Sequence, residues 1–126
     1  MKLTICFEDA DDYLLARVEG RWTPDSVSQG IQEMVKKARD GGHSRVLLDL
    51  RKLSAPPTDF ARFRAGEQIA EMSRGILKIA AVYPEELINK FAEDTAVNRG
   101  AQFTVVADFD EAVQWLLSSP STRATE

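Results

Sequence analysis

Four carboxylates stand just after apolar segments or at the turns that follow them: Asp49, Asp59, Glu85 and Asp108. If those segments are neighbouring strands of a parallel sheet, all four fall near its carboxyl edge, where open α/β sheets meet their ligands. Two acids held there with separated pKa values would divide acid and base work. Acids at helix starts also cap backbone amides and complement the helix dipole, and for Asp59 and Asp108 this is the simpler role. Arg51, Lys52, Arg62, Arg64 and Arg74 add a local basic excess. That chemistry suits an anion held by helix-start amides plus Arg51. Solvation and pairing with Glu67 and Glu71 account for the same residues without a ligand.

Other chemistry is thinly represented. The single histidine, His43, lies in Gly41-Gly42-His43-Ser44, before the third apolar segment and so at the opposite edge of the sheet. It reads as a solvated turn residue. Cys6 points away from the Leu3/Ile5/Phe7 face of its segment and has no base nearby in sequence to activate it. No His/Cys cluster has metal-ligand spacing, and there is no GxGxxG, no GxxxxGK[ST] and no G-x-S-x-G. No catalytic residues, metal or cofactor are therefore expected.

The 126-residue chain has 16 basic and 20 acidic side chains and a net charge of −4, which argues against nucleic acid as a partner. One cysteine implies no internal disulfide, MKLTICFEDADD lacks the apolar run of a signal peptide, and no segment is apolar enough to span a bilayer. A soluble, cytoplasmic domain over 1–117 is expected, with a flexible polar tail at 118–126.

The elements that must position the candidates follow from periodicity. Lys2–Glu8 and Tyr13–Glu19 alternate and, with the acidic turn between them, predict an antiparallel hairpin. Thr23-Pro24 opens a helix whose apolar face is Val27, Ile31, Met34, Val35 and Ala38, closed by Gly41-Gly42. Val46–Leu50, Leu77–Tyr83 and Phe103–Ala107 are strands. Between them lie helices over Thr58–Ser73, with Phe60, Phe63, Ile69 and Ala70 as its stripe, and over Ile88–Arg99, with Ile88, Phe91, Ala92 and Thr95 on one face. Asp108 and Glu111 begin a last helix burying Phe109, Ala112, Val113 and Leu116. Helical crossovers join parallel strands. The fold class is α/β: a five-stranded, mostly parallel sheet with an antiparallel N-terminal strand and about four helices.

Gly20-Arg21-Trp22-Thr23-Pro24, the stretch from Val46 to Glu67 (VLLDLRKLSAPPTDFARFRAGE) and that from Pro84 to Ala101 (PEELINKFAEDTAVNRGA) carry a family resemblance. With the order of elements, they resemble the STAS-domain superfamily, and within it the SpoIIAA-like branch of small stand-alone bacterial proteins compared with CRAL-TRIO lipid-binding domains. The resemblance spans nearly the whole chain and implies a SpoIIAA-like fold and a binding role without enzyme activity. In signalling members the third strand leads to a D-S-[ST]-G turn whose second hydroxyl residue is phosphorylated. Here the turn reads Pro57-Thr58-Asp59-Phe60. Asp59 stands where the acceptor would be and Phe60 replaces the glycine, so the acceptor hydroxyl is missing from its place.

The expectation is a binding or regulatory module that meets a protein partner or small ligand at the carboxyl edge of the sheet. Its candidate residues are Asp49, Arg51, Thr58, Asp59 and Tyr83, with Asn98 and Arg99 added from the matching carboxy-terminal motif. A homodimer would use the exposed face of strand one and the second helix. An apolar ligand, such as a lipid, would need a groove of roughly 300 Å³ lined by Phe60, Phe63, Ile88 and Phe91. An enzyme would need two edge carboxylates converging in one pocket.

Overall fold

Thr23 starts the first helix as its sequence predicts. In the computed structural model, residues 3–10, 12–21, 23–53 and 58–118 are described, Pro24 and Phe91 by their backbone alone. The Thr23 hydroxyl accepts from the Ser26 amide at 3.1 Å, and the Ser26 hydroxyl accepts from the Thr23 amide at 3.0 Å. This reciprocal pair satisfies amides that the helix itself cannot.

The elements are β1 (Thr4–Asp9), β2 (Leu14–Gly20), α1 (Pro24–Asp40), β3 (Arg45–Leu53), α2 (Asp59–Ser73), β4 (Lys78–Val82), a 3-10 turn (Glu85–Leu87), α3 (Phe91–Asn98), β5 (Gln102–Val106) and α4 (Phe109–Leu117). The strands lie side by side in chain order, β1 antiparallel to β2 and the rest parallel. Register aligns Leu14, Val46, Ile79 and Phe103 in one buried row across the sheet. Right-handed crossovers that each advance one strand in the same direction leave their helices on one face. The larger core lies there, where Ile31, Met34 and Ile69 pack on Ala16, Leu48 and Ala81. Among the described residues, only α4 covers the other face, burying Ala112 and Leu116 against Leu15, Leu47, Ala80 and Val82.

Two cations anchor α4. Lys78, buried at the start of β4, donates to the Trp115 carbonyl at 2.8 Å and sits 4.5 Å from the Trp115 ring centroid. Arg45 donates to the Leu116 carbonyl at 2.9 Å. Both bonds satisfy carbonyls near the C-terminus of the helix, the end that favours positive charge.

Two boundaries and one helix face differ from the sequence reading. Strand β3 runs on to Leu53 because β2 continues to pair with it beyond a bulge, Glu19 with Lys52 and Gly20 with Leu53. The third helix begins at Phe91 instead of Ile88, since Ile88 is extended and Lys90 is left-handed at φ 70°. The stripe of α2 also changes: its buried residues are Ala65, Gly66, Ile69, Ala70 and Ser73, while Phe60 and Phe63 are exposed. Phe60 precedes Ile69 by nine residues, two and a half turns, and so lies on the opposite side of the helix. Gly66 sets the contact with α3, because a Cβ there would stand 2.5 Å from the Ala92 carbonyl oxygen and 2.8 Å from Thr95 Cβ. The expected tail beyond Ser118, and the Ser54–Pro57 part of the loop before α2, lie outside the described residues.

Candidate functional site

Alternation along β3 puts Asp49 and Arg51 on the α4 side of the sheet. Arg51 closes on Asp49: Nε donates to Oδ1 and Nη2 to Oδ2, both at 2.9 Å, and the Arg51 amide donates to Oδ1 at 3.2 Å. The side-chain bond from Arg51 outweighs the burial of Asp49 and holds its carboxyl below the ordinary carboxylate range. The guanidinium also lies 5.6 Å from the centroid of Phe109, the first residue of α4. A carboxylate held ionised in a bidentate pair is a structural joint between sheet and helix and a poor proton donor.

On the far side of the edge, Thr58 caps α2 by accepting from the Ala61 amide at 3.1 Å. Asp59 accepts from Asn89 Nδ2 at 2.8 Å, which ties the start of α2 to the segment leading into α3. Asp108 accepts from the Asp110 amide at 2.9 Å. Asp49, Asp59 and Asp108 are thus engaged with three different partners and do not converge in one pocket.

One turn into α2 is an apolar surface. Phe60 is 72% exposed and Phe63 36% exposed, with their rings 6.4 Å apart. Arg99 reaches across from the end of α3, its guanidinium 5.5 Å from the Phe63 centroid and 3.3 Å from Glu67, which Arg64 also pairs with at 2.8 Å. This pairing of Glu67 agrees with the ligand-free account of the basic residues.

Tyr83, just beyond β4, faces the larger core and is 6% exposed. Its hydroxyl is buried without a hydrogen-bond partner among the described residues. Arg62 stacks 5.7 Å from the Tyr83 ring centroid while donating to the Leu87 carbonyl at 2.7 Å. Burial pushes the Tyr83 hydroxyl above its ordinary pKa, with Arg62 pulling the other way. Both residues line a cavity of about 110 Å³ between the sheet and the three helices of this face. Of the four residues expected to line an apolar groove, Ile88 does so, whereas Phe60 and Phe63 are outside the lining and the side chain of Phe91 lies outside the described residues. The volume is well below the roughly 300 Å³ set for a lipid-sized ligand.

The seven candidates therefore form separate groups. Asp49 and Arg51 share the α4 face, Thr58 and Asp59 share the helix start, and Tyr83 is buried on the other face of the sheet. Asn98 and Arg99 close α3, where the Arg99 carbonyl accepts from Arg74 near the end of α2. His43 differs from the expected solvated residue: its side chain is 14% exposed, and Nε2 lies 2.8 Å from Asp9 Oδ1 at the end of β1. Cys6 is exposed on β1. The sequence reading missed the outward Phe60–Phe63 pair and the roles of Arg62 and Asn89. The available signal was the run of small residues Ala65, Gly66, Ala70 and Ser73 around Ile69, which marks the packed side of α2 better than its aromatics do. Among the described residues no group of His, Cys, Asp and Glu is placed to hold a metal ion, and no helix is long and apolar enough to cross a membrane.

No protein-family model matches the sequence, and no curated protein matches it. Solved structures do. The chain is similar to an anti-sigma factor antagonist from Mycobacterium paratuberculosis at 14% identity and TM-score 0.65, covering 91% of this chain and 94% of that one. It is similar to an uncharacterised DUF3478-family protein with a SpoIIAA-like fold from Shewanella loihica PV-4 at 20% identity and TM-score 0.54, covering 91% and 93%. It is also similar to the anti-sigma factor antagonist SpoIIAA in its unphosphorylated form at 11% identity and TM-score 0.54, covering 93% and 99%. These matches, each over at least 91% of this chain, lead to one conclusion: this chain has the SpoIIAA-like α/β fold.

Proposed function

We propose that the chain is a non-enzymatic binding module that recognises a protein partner through the start of α2. The observation that carries this reading is the pair Phe60 and Phe63, solvent-facing aromatics 6.4 Å apart on a capped helix. Large exposed aromatics on a rigid element are the usual anchors of protein interfaces. Thr58 and Asp59 hold the helix start in place, and Asp59 sets a fixed negative charge beside the anchors. The resemblance places that charge where signalling relatives carry a phosphorylated side chain, so a partner would meet a permanently acidic turn. Two of the structural neighbours are anti-sigma factor antagonists, which supports a protein as the partner class. The separate engagement of Asp49, Asp59 and Asp108 supports recognition over acid–base chemistry.

The test is photo-crosslinking in cells, with a benzophenone amino acid at position 60 and, as control, at exposed Gln114 on α4. A partner captured only from position 60 is then purified and titrated. Phe60→Ala should weaken its binding by about 30-fold, the effect of losing one aromatic anchor. A capture of the chain's own second copy would assign the surface to a homodimer. Identical crosslinks from both positions, or unchanged affinity in Phe60→Ala, would refute the reading.

A further inference from the structure

We propose that β1 pairs antiparallel with β1 of a second copy of the chain about a two-fold axis at Cys6, joining the two sheets into one. This surface is separate from α2, and the proposal stands independently of that reading. Strand order leaves β1 and β5 as the edges of the sheet, and an open edge is a template for another strand. The β5 edge is closed by a side chain: the Glu93 carboxylate accepts from the Val105 amide at 2.7 Å and from the Thr104 hydroxyl at 3.2 Å. Among the described residues no bond of this kind closes β1.

The hairpin fixes which backbone groups of β1 point outward. The Ala10 amide donates to the Tyr13 carbonyl at 3.0 Å, and the unbroken register sets Glu8 against Leu15, Cys6 against Arg17 and Thr4 against Glu19. Hydrogen-bonded pairs alternate along an antiparallel ladder, so Thr4, Cys6 and Glu8 bond to β2 while the amides and carbonyls of Ile5 and Phe7 face away from it. Opposed about Cys6, Ile5 exchanges both its bonds with Phe7 of the second copy, and Phe7 does the same with its Ile5. Their half-buried side chains both pack on the larger core and would continue its apolar floor, while polar Thr4 lies opposite Glu8 on the other side. Centring on Phe7 would set Asp9 against Ile5, and centring on Ile5 would leave the Glu8–Asp9 end of the strand beyond the pairing.

Charge on α1 fits the same axis. A Cβ at Gly30 would meet Ile5 at 3.1 Å and Leu3 at 3.5 Å, and the Lys37 ammonium stands 5.9 Å from the Phe7 ring centroid. Helix and strand therefore run in the same direction, and Cys6 is level with the stretch between Glu33 and Lys37. Glu33, three residues after Gly30 and four before Lys37, is exposed on the same flank of α1. A two-fold axis at Cys6 turns that flank toward its own copy, with Glu33 facing Lys37 of the second copy and Lys37 facing its Glu33. An unrelated strand would satisfy the edge but not this exchange of charges, which singles out a second copy as the partner.

The full chain is tested by sedimentation equilibrium and by thiol cross-linking with oxidised glutathione, which takes up the electron pair released as the new disulfide forms. A dimer is expected, with Cys6 of the two copies joined, because a non-hydrogen-bonded antiparallel pair sets its Cα atoms about 4.5 Å apart, within disulfide reach. In a Cys6→Ser background, Thr4→Cys and Glu8→Cys should each fail to link to themselves and should link to each other when mixed, which reads the register. Glu33→Lys should weaken the dimer by about tenfold, and Glu33→Lys combined with Lys37→Glu should restore it. Both positions are exposed, so these variants keep the fold. A chain that stays monomeric up to millimolar concentration overturns the proposal. So does a dimer whose Thr4→Cys and Glu8→Cys chains do not link, or one that Glu33→Lys leaves unchanged. A dimer held through α2 would instead cross-link from position 60, so the two readings fail separately.

Discussion

Replacing Tyr83 with Phe removes one oxygen, which has no hydrogen-bond partner among the described residues, and keeps the ring that packs under Arg62, so the protein should become more stable. A buried hydroxyl without a partner costs about 1–3 kcal/mol. The void left by one oxygen, roughly 10 Å³ at about 24 cal/mol per Å³, returns only about 0.2 kcal/mol of that gain. The net stabilisation is about 0.8–2.8 kcal/mol, a rise in Tm of roughly 3–14 °C for a domain of this size. Urea unfolding at neutral pH should show a higher midpoint with an unchanged slope. The pH dependence supplies a second reading. Burial raises the Tyr83 pKa in the folded protein, so the unfolded chain loses that proton first as pH rises. The contribution of Tyr83 is therefore whole below about pH 10 and is lost as pH climbs from there through the folded value. Tyr83→Phe lacks this alkaline loss and should widen its advantage above about pH 10. A variant that melts several degrees below wild type at neutral pH would show that the hydroxyl has a partner in the folded protein, and the reasoning would fail.

Three other substitutions probe separate parts of the fold. Asp49→Asn breaks the bidentate pair with the half-exposed Arg51 and should cost about 1 kcal/mol at neutral pH. Because the folded pKa of Asp49 is lowered, that stability is present above about pH 4 and is lost as pH falls through the folded value, so acid titration of unfolding should show the two proteins converging. Gly66→Ala drives a methyl into the Ala92 carbonyl, and the resulting separation of α2 and α3 should exceed the helix-propensity gain of about 1 kcal/mol, lowering Tm. Lys78→Met removes a buried charge and a bond to the Trp115 carbonyl together, so stability at pH 7 should change by about 1 kcal/mol or less in either direction. Burial, with Arg45 nearby, lowers the Lys78 pKa, and wild type should gain on this variant as pH rises from the folded value toward the unfolded one near 10.5.

The fold was legible where local chemistry and burial agree. Thr23-Pro24, the Gly41-Gly42 stop and the apolar runs of β3 and β4 each point to the same element from two directions. The α2 stripe misled because hydrophobicity was read without size: small residues pack this helix against α3, and its two phenylalanines are left outside. The start of α3 misled because nothing in Asn89-Lys90 announces a left-handed lysine, a conformation usually given to glycine. Among the candidate residues, the helix-capping role of Thr58 and Asp108 follows from type and position. The closure of Arg51 on Asp49 does not, since two residues on one face of a strand can equally point apart. That the Tyr83 hydroxyl has no partner among the described residues is a property of three-dimensional packing and leaves no mark in the sequence.

The uneven distribution of helices over the sheet has a consequence for biosynthesis. The larger core draws on residues from β1 to β5 and can consolidate as those segments emerge in order. The smaller one stays a bare apolar floor of Leu15, Leu47, Ala80 and Val82 until residues 109–117 have been made. During that interval the nascent chain presents a surface on which chaperones or other chains can settle. Lys78, at the rim of that floor, keeps its charge hydrated until α4 arrives, and the same ammonium then becomes the latch for the helix.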